Sequence, residues 1–172
     1  MEENKYGAAI TYEYEKCLYV NMTNQCCNSC DFCLRNNSPG SLYADNLWYQ
    51  GGEPSKEEIW QELEQRDLNR YNEVVFCGYG EPACRWDDMM WLCDKIKENG
   101  SHLIRINTNG LADLITGRNA AMELDGRVDA VSVSLNASTP EKYDALCHSQ
   151  FGLDALPAIM KFTANAVFNV PH

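Results

Sequence analysis

Four short apolar runs, rich in β-branched residues, recur along the chain at about residues 17 to 22, 73 to 78, 102 to 108 and 129 to 135. Segments with helical signals separate them. Strands that alternate with helices in this way are typical of repeated βα units, in which neighbouring strands run parallel. The pattern therefore predicts an α/β fold with about four βα units.

Helix boundaries can be placed between these runs. Residues 55 to 58, Ser-Lys-Glu-Glu, form a capping box that predicts the start of the first helix. The second helix is predicted to begin near Asp87 and to stop at Gly100. A shorter helix is predicted after Pro140, and an apolar helix from about 153 to 168.

The last two runs separate apolar from polar positions. The apolar set is Ile104, Ile106, Val131, Val133 and Leu135, and the alternating polar set is Arg105, Asn107, Ser132, Ser134 and Asn136. If helices cover the apolar face, the polar face lines the inside of an open or closed barrel. The carboxyl ends of the strands are then where such folds place chemistry. The alternative, a polar face satisfied by its own hydrogen bonds, stays open.

The composition is that of an acidic globular protein. With 172 residues, the chain is long enough for one domain with a proper core, and we expect residues 1–172 to form it. The net charge is −11, the isoelectric point is about 4.6, and no lysine- or arginine-rich run appears. A DNA or RNA substrate normally needs a basic surface, so the charge argues against nucleic acid. Because no signal peptide or membrane span is evident, we expect a cytoplasmic protein with no membrane segment.

Nine cysteines are present, and in a reducing cytosol clustered cysteines indicate metal binding rather than disulfides. Cys26, Cys30 and Cys33 stand in the spacing C-x3-C-x2-C on a polar stretch after the first run. Three thiolates around a four-iron cube leave one iron open, and an open metal site can bind a cosubstrate. We therefore predict a cluster-binding loop and extension over residues 23–53.

Two other interpretations of the cysteines compete with this one. Cys27, Cys30 and Cys33 could begin a ferredoxin run, C-x2-C-x2-C, but the following residues bring no fourth cysteine. A zinc site would need a fourth ligand from elsewhere, such as Cys77, Cys84 or a histidine, and this alternative stays open. The scattered cysteines are most simply small core residues: Cys17, Cys77, Cys84, Cys93 and Cys147.

Three further motifs follow the later apolar runs. They are Gly78-Tyr79-Gly80-Glu81-Pro82, Thr108-Asn109-Gly110 and Ser134-Leu135-Asn136. With the cysteine triplet, and in this order, they resemble the motifs of the radical SAM superfamily. The phrases FCGYGEP, IRINTNGL and VSVSLNA are similar to the group of TatD-associated radical SAM proteins. A second copy of the GGEP pattern, residues 51–54, follows no apolar run, and we interpret it as a loop leading into the capping box.

The resemblance implies a partial parallel (βα) barrel of radical SAM type that holds two cofactors. Cys26, Cys30 and Cys33 would ligate a [4Fe-4S] cluster, and S-adenosylmethionine would chelate the open iron. Reductive cleavage of S-adenosylmethionine would give a 5'-deoxyadenosyl radical that abstracts hydrogen from an unidentified small-molecule or peptide substrate. The electron would come from a donor such as flavodoxin or ferredoxin. No catalytic side chain beyond the cluster is implied.

The same resemblance assigns candidates for binding S-adenosylmethionine: Phe32, Gly78, Tyr79, Gly80, Glu81, Asn107, Asn109, Ser134 and Asn136. The glycines would let the backbone approach the methionine ammonium. Glu81 would hold its loop in place or lie in solvent, and Phe32 would contact adenine or pack under the loop. Tyr79 would face the cavity. Asn107 and Asn109 would contact ligand or fix loops, while Ser134 and Asn136 would bind ribose hydroxyls or the methionine carboxylate.

Radical SAM cores usually have six βα units, whereas this sequence stops at His172, where a fifth strand would begin. We therefore expect a C-terminally short barrel, with the last strands missing and an open sheet edge. Either a dimer partner covers this edge or the sequence is a naturally short or cut version, and both alternatives stay open. Two alternatives to the enzyme stay open. They are a non-enzymatic iron–sulfur or zinc binding module, and an inactive fragment of such an enzyme.

Overall fold

The computed structural model describes residues 5–37 and 46–172, and within these ranges the strands form one sheet in sequence order. The strands are β1 Thr11–Tyr14, β2 Cys17–Val20, β3 Val74–Phe76, β4 Ile104–Thr108 and β5 Ala130–Val133. β1 runs antiparallel to β2, and β2 to β5 run parallel to one another. The sheet is open. This arrangement confirms the α/β fold and the partial βα barrel.

Helices follow each of the four parallel strands. They are α1 Leu34–Asn37, α2 Lys56–Glu64, α3 Trp86–Glu98, α4 Ala112–Thr116, α5 Pro140–Cys147 and α6 Ala155–Ala166. The predicted capping box is formed, since the Glu58 N–H donates to Ser55 Oγ at 3.2 Å and the Ser55 N–H donates to Glu58 Oε2 at 2.9 Å. α3, α5 and α6 lie close to their predicted positions. No helix in the described part of the chain is long and apolar enough to cross a membrane.

The sequence pattern misses β1. Its residues, Thr-Tyr-Glu-Tyr, mix polar and aromatic side chains instead of forming an apolar run. The strand forms because a tight turn at Glu15 and Lys16, with φ of 47° and 63°, folds it back onto β2. Tyr12 then stacks on Tyr19 across the pair, with ring centroids 5.0 Å apart. β1 thus pairs with the side of β2 that faces away from β3.

The hydrophobic core lies under the helix-covered face of the sheet. Ile104 and Ile106 of β4 are fully buried there, whereas Arg105 on the opposite face is partly exposed, as the period of two predicts. Val133 packs against the edge of this core. The assignment of Leu135 to the apolar face is wrong, because Leu135 lies beyond the end of β5 and is 60% exposed. The alternation ends where the strand ends.

The outer edge of β5 contacts the last residues of the sequence. The Val131 N–H donates to the His172 carbonyl at 3.1 Å, and the His172 N–H donates to the Asp129 carbonyl at 3.1 Å. These two bonds have the alternation of a parallel bridge, so the backbone of His172 lies beside β5 in the parallel sense. The dimer that would cover this edge stays a prediction.

Candidate cofactor site

The four predicted motifs meet at one edge of the sheet. β2 leads to the cysteine loop (residues 26–33), β3 to the glycine loop (residues 78–82), and β4 to residues 108–110, while residues 134–136 follow β5. Because β2 to β5 are adjacent and parallel, their carboxyl ends lie side by side. The topology therefore brings the predicted site residues together.

The two glycines of the glycine loop allow it to pack against the backbone that enters the cysteine loop. A Cβ on Gly78 would lie 2.2 Å from Asn21 Oδ1, and one on Gly80 would lie 2.2 Å from the Thr23 carbonyl oxygen. The Glu81 N–H donates to the Gln25 carbonyl at 2.7 Å. A contact within the protein thus requires glycine at both positions. Their expected approach to a ligand stays a prediction.

Glu81 joins the glycine loop to the loop after β4. Its Oε1 accepts hydrogen bonds from Thr108 Oγ1 at 2.7 Å and from the Ala83 N–H at 3.1 Å, and its Oε2 accepts one from the Asn109 N–H at 2.7 Å. Only 5% of the residue is exposed, so the alternative of a solvated carboxylate is wrong. Burial raises the pKa of Glu81 to about 7, against the opposing effect of its three donors.

The cysteine loop separates its four thiols by exposure. Cys26, Cys30 and Cys33 are partly exposed, whereas Cys27 is only 6% exposed and packs with Leu111, Tyr143, Cys147 and Ile159. Asn109 Nδ2 donates to Cys27 Sγ at 3.2 Å and holds that side chain inward. The exposed triplet is the one in the C-x3-C-x2-C register.

Electrostatics distinguish Cys26 from its neighbour. A hydrogen bond with the Cys27 thiol lowers the pKa of Cys26 to about 6, and the Asn28 N–H, 3.5 Å from Cys26 Sγ, acts in the same direction. The same contact, together with burial, raises the pKa of Cys27. Burial, followed by the neighbouring Cys147, raises the pKa of Cys30 to about 12. Cys26 is therefore better prepared than Cys27 or Cys30 to bind a metal as a thiolate.

The donor chemistry of the loop fits an iron–sulfur cluster. Three partly exposed cysteines lie on one short loop beside the guanidinium group of Arg35, and thiolate is the ligand such clusters take. Among the described residues, the side chains of histidine, cysteine, aspartate and glutamate do not form a ready group of three that could hold a metal ion. The fit of the cysteine loop to a cluster therefore rests on the type of its ligands and on the partial exposure of the three cysteines.

The expectation that the scattered cysteines are small core residues is confirmed for Cys17, Cys93 and Cys147, which are buried. It is wrong for Cys84, which is partly exposed and lines a cavity of about 230 Å³ together with Cys26 and Cys27. Cys84 belongs to the turn Pro82–Arg85, which continues from the glycine loop and so brings this thiol beside the cysteine loop. Cys77 is also partly exposed.

Residues near the end of α5 anchor the cysteine loop from the other side. The Ser29 and Asp31 N–H groups donate to the carbonyls of Cys147 and Leu146 at 2.9 and 3.1 Å. Asn28 Nδ2 donates to the Tyr143 hydroxyl at 2.9 Å. The loop is thus held between the glycine loop and α5, an arrangement that the sequence pattern does not predict.

The loop at residues 51–54 leads into the capping box, as predicted, but it also has a contact that the sequence did not suggest. Glu53 Oε1 accepts hydrogen bonds from Thr23 Oγ1 and from the Asn24 N–H, each at 2.8 Å. This second glutamate therefore fixes the backbone just before Cys26. The GGEP pattern of residues 51–54 was the sequence signal that could have indicated this contact. The pattern was correctly excluded as the strand-end motif, because no apolar run precedes it in the sequence.

The remaining candidates differ in availability. Phe32 is 48% exposed, so packing under the loop is wrong for it, and Ser134 is also exposed. Tyr79 is 8% exposed and packs with Tyr12 and Leu47, and its contact with a ligand cavity stays a prediction. Asn109 fixes loops. It donates a hydrogen bond to Cys27 Sγ through Nδ2, and its Oδ1 accepts one from the Leu111 N–H at 3.0 Å.

The last two candidate amides contact protein groups. Asn107 Oδ1 accepts a hydrogen bond from Arg105 Nη1 at 2.9 Å. Asn136 Nδ2 lies 3.7 Å from Cys147 Sγ. Both amides are partly exposed, so either could also reach a ligand from its place at the strand ends.

Comparison with protein families gives one match. The family model of the radical SAM superfamily matches residues 20–165, a range that begins at the last residue of β2 and includes the cysteine loop, the glycine loop and strands β3 to β5. Comparisons with curated proteins and with solved structures found no match.

Proposed function

Since its family model matches residues 20–165, the chain belongs to the radical SAM superfamily, and we propose that it is an enzyme using a [4Fe-4S] cluster and S-adenosylmethionine. Cys26, Cys30 and Cys33 would hold the cluster. A cluster held there would supply the electron for reductive cleavage of S-adenosylmethionine to methionine and a 5'-deoxyadenosyl radical, which would abstract a hydrogen atom from the substrate. The observation that carries this proposal is the burial pattern of the cysteine loop, in which the residues Cys26, Cys30 and Cys33 are partly exposed and Cys27 is buried.

The protein's part in this chemistry is to hold the two cofactors at the strand ends. The backbone of Gly78 and Gly80 is the candidate partner of the methionine ammonium, and Glu81 holds that backbone in place through Thr108 and Asn109. Exposed Phe32 is the candidate contact for adenine, and exposed Ser134 for the ribose. Asn107 and Asn136 are kept as secondary candidates. Tyr79 and Asn109 act through packing and loop contacts.

The narrower assignments belong to the same proposal. We place the chain in the TatD-associated group on the phrases around the glycine loop and the later strand ends, and this group name states no reaction. The substrate class is a small molecule or a peptide. The electron donor would be a flavodoxin or ferredoxin, the compartment the cytoplasm, and a second copy would cover the β5 edge.

Two measurements test the proposal. Iron, sulfide and zinc analysis of anaerobically prepared protein should give iron and acid-labile sulfide with little zinc. Dithionite reduction in the presence of S-adenosylmethionine should then release 5'-deoxyadenosine. Zinc without sulfide would favour the zinc module, and a full cluster without 5'-deoxyadenosine would refute the enzyme.

Neighbouring cysteines provide a matched pair of variants. Cys26→Ala should remove the cluster absorbance, because it removes a proposed ligand. Cys27→Ala should retain the cluster, and it should lower the free energy of unfolding by about 1 kcal/mol because it leaves a small void in the core. Loss of the cluster only in Cys27→Ala would refute the proposed register.

A further inference from the structure

Arg35 turns back from the start of α1 into the cysteine loop. Its Nε donates to Cys33 Sγ at 3.2 Å, its Nη1 to the Asn24 carbonyl at 3.2 Å, and its Nη2 to the Asn28 carbonyl at 3.2 Å. The two carbonyls belong to residues two before and two after Cys26. One planar group thus connects the backbone on both sides of Cys26 to the sulfur of Cys33.

This geometry needs an arginine. A guanidinium has five N–H donors in a rigid plane, so it can reach two carbonyls and a sulfur at the same time. A lysine ammonium carries the same charge, but it is a compact group on a flexible stem and cannot reproduce the three directions. Among the described residues, Arg35 forms no ion pair with a carboxylate, unlike Arg105 and Arg127. Its positive charge is therefore directed at the thiols of the loop.

We infer that Arg35 is a positioning residue for the proposed cluster, which shapes the cysteine loop and raises the cluster's reduction potential. The inference rests on the proposed function, since it assumes a cluster on Cys26, Cys30 and Cys33. Hydrogen bonds to the ligating sulfurs and nearby charge are known determinants of iron–sulfur potentials. Reduction adds one electron to the cluster, so a cation and an N–H donor stabilise the reduced form more than the oxidised form.

The test compares reconstituted Arg35→Gln and Arg35→Lys with the natural protein. Arg127→Gln is the matched control, because Arg127 also donates to a backbone carbonyl, that of Glu123, and lies just before β5, at the end of the sheet away from the cysteine loop. The measurements are iron and sulfide per chain, the electron paramagnetic resonance spectrum of the dithionite-reduced cluster, and a mediated redox titration.

For Arg35→Gln we expect about a tenfold lower ratio of reduced to oxidised cluster at a fixed potential. This corresponds to a shift of about 59 mV to more negative potential for a one-electron couple. Arg35→Lys keeps the charge, so it should shift the potential less, yet it should change the resonance spectrum because the bond to Cys33 is lost. Arg127→Gln should match the natural protein in both measurements.

Unchanged potential and spectrum in both Arg35 variants would overturn the inference. If Arg35→Gln loads no cluster while its iron-free circular dichroism stays natural, the shaping role is supported and Arg35→Lys decides the effect on potential. Loss of the folded spectrum in iron-free Arg35→Gln would overturn the inference, because Arg35 would then serve the fold. Failure of the natural protein to cleave S-adenosylmethionine would refute the proposed function but leave the comparison of potentials intact.

Discussion

Replacing Glu81 with glutamine should remove a pH dependence of folding that this buried carboxyl causes. Burial raises the pKa of Glu81 from 4.5 to about 7, so between these values the folded state holds a proton that the unfolded state has released. The stability linked to this proton is present below pH 4.5 and is lost as pH rises to 7. The difference between the two pKa values corresponds to about 3 kcal/mol.

The assay is urea unfolding of iron-free protein under reducing, anaerobic conditions at several pH values from 4.5 to 7.5. The quantity compared is the free energy of unfolding of the natural protein minus that of Glu81→Gln, because the other titrating groups cancel in this difference. It should fall by about 3 kcal/mol over the range. Glu64→Gln, an exposed change at the end of α2, should leave the pH profile of the natural protein unaltered.

Parallel profiles for the natural protein and Glu81→Gln would refute this reasoning. They would mean that the three donors, Thr108 Oγ1 and the N–H groups of Ala83 and Asn109, fully compensate the burial of the carboxylate. A difference that rises with pH would show that they overcompensate it.

Two further substitutions test the contacts around the cysteine loop by urea unfolding and by iron content after reconstitution. Gly80→Ala should destabilise the fold by about 3 kcal/mol, because its Cβ would clash with the Thr23 carbonyl. Its control is Gly117→Ala, where a Cβ meets nothing within 4 Å and the positive φ alone should cost about 1 kcal/mol. Equal losses of stability in the two variants would contradict the clash. Tyr143→Phe leaves the buried amide of Asn28 without its partner and should lower stability by about 1 to 3 kcal/mol and reduce iron loading. Tyr71→Phe, which breaks an exposed bond, should have little effect, and a loss as large as that of Tyr143→Phe would refute the role of burial.

The fold was predictable where one physical signal dominated. The parallel strands are rich in apolar residues because helices cover one face of the sheet, and the capping box of α2 is a local pattern of four residues. β1 was not predictable in this way, since its stability comes from pairing with β2 and from the stacking of Tyr12 on Tyr19. The prediction for Leu135 failed for the opposite reason. The alternation of apolar and polar residues continues in the sequence after β5 has ended.

The candidate site was likewise predictable where the signal is local in the sequence, and not where it depends on contacts between distant residues. The spacing of Cys26, Cys30 and Cys33 is local, so the sequence could single them out. Which way the ring of Tyr79 turns is decided by Tyr12 and Leu47, which are distant in sequence. The contacts of Arg35 depend on how the loop folds back on itself, and spacing along the chain carries no information about that path.

The anchoring of the cysteine loop by α5 has a consequence for the order of folding. Asn28 and Tyr143 are 115 residues apart, and the N–H groups of Ser29 and Asp31 donate to carbonyls of the same distant helix. Contacts of such high sequence separation form only after a large loss of chain entropy. The thiols proposed to bind iron should therefore reach their final arrangement late, once the fourth βα unit has docked. Iron delivered to a nascent chain would meet four mobile cysteines and no defined register, so correct cluster insertion should follow folding of the domain rather than guide it.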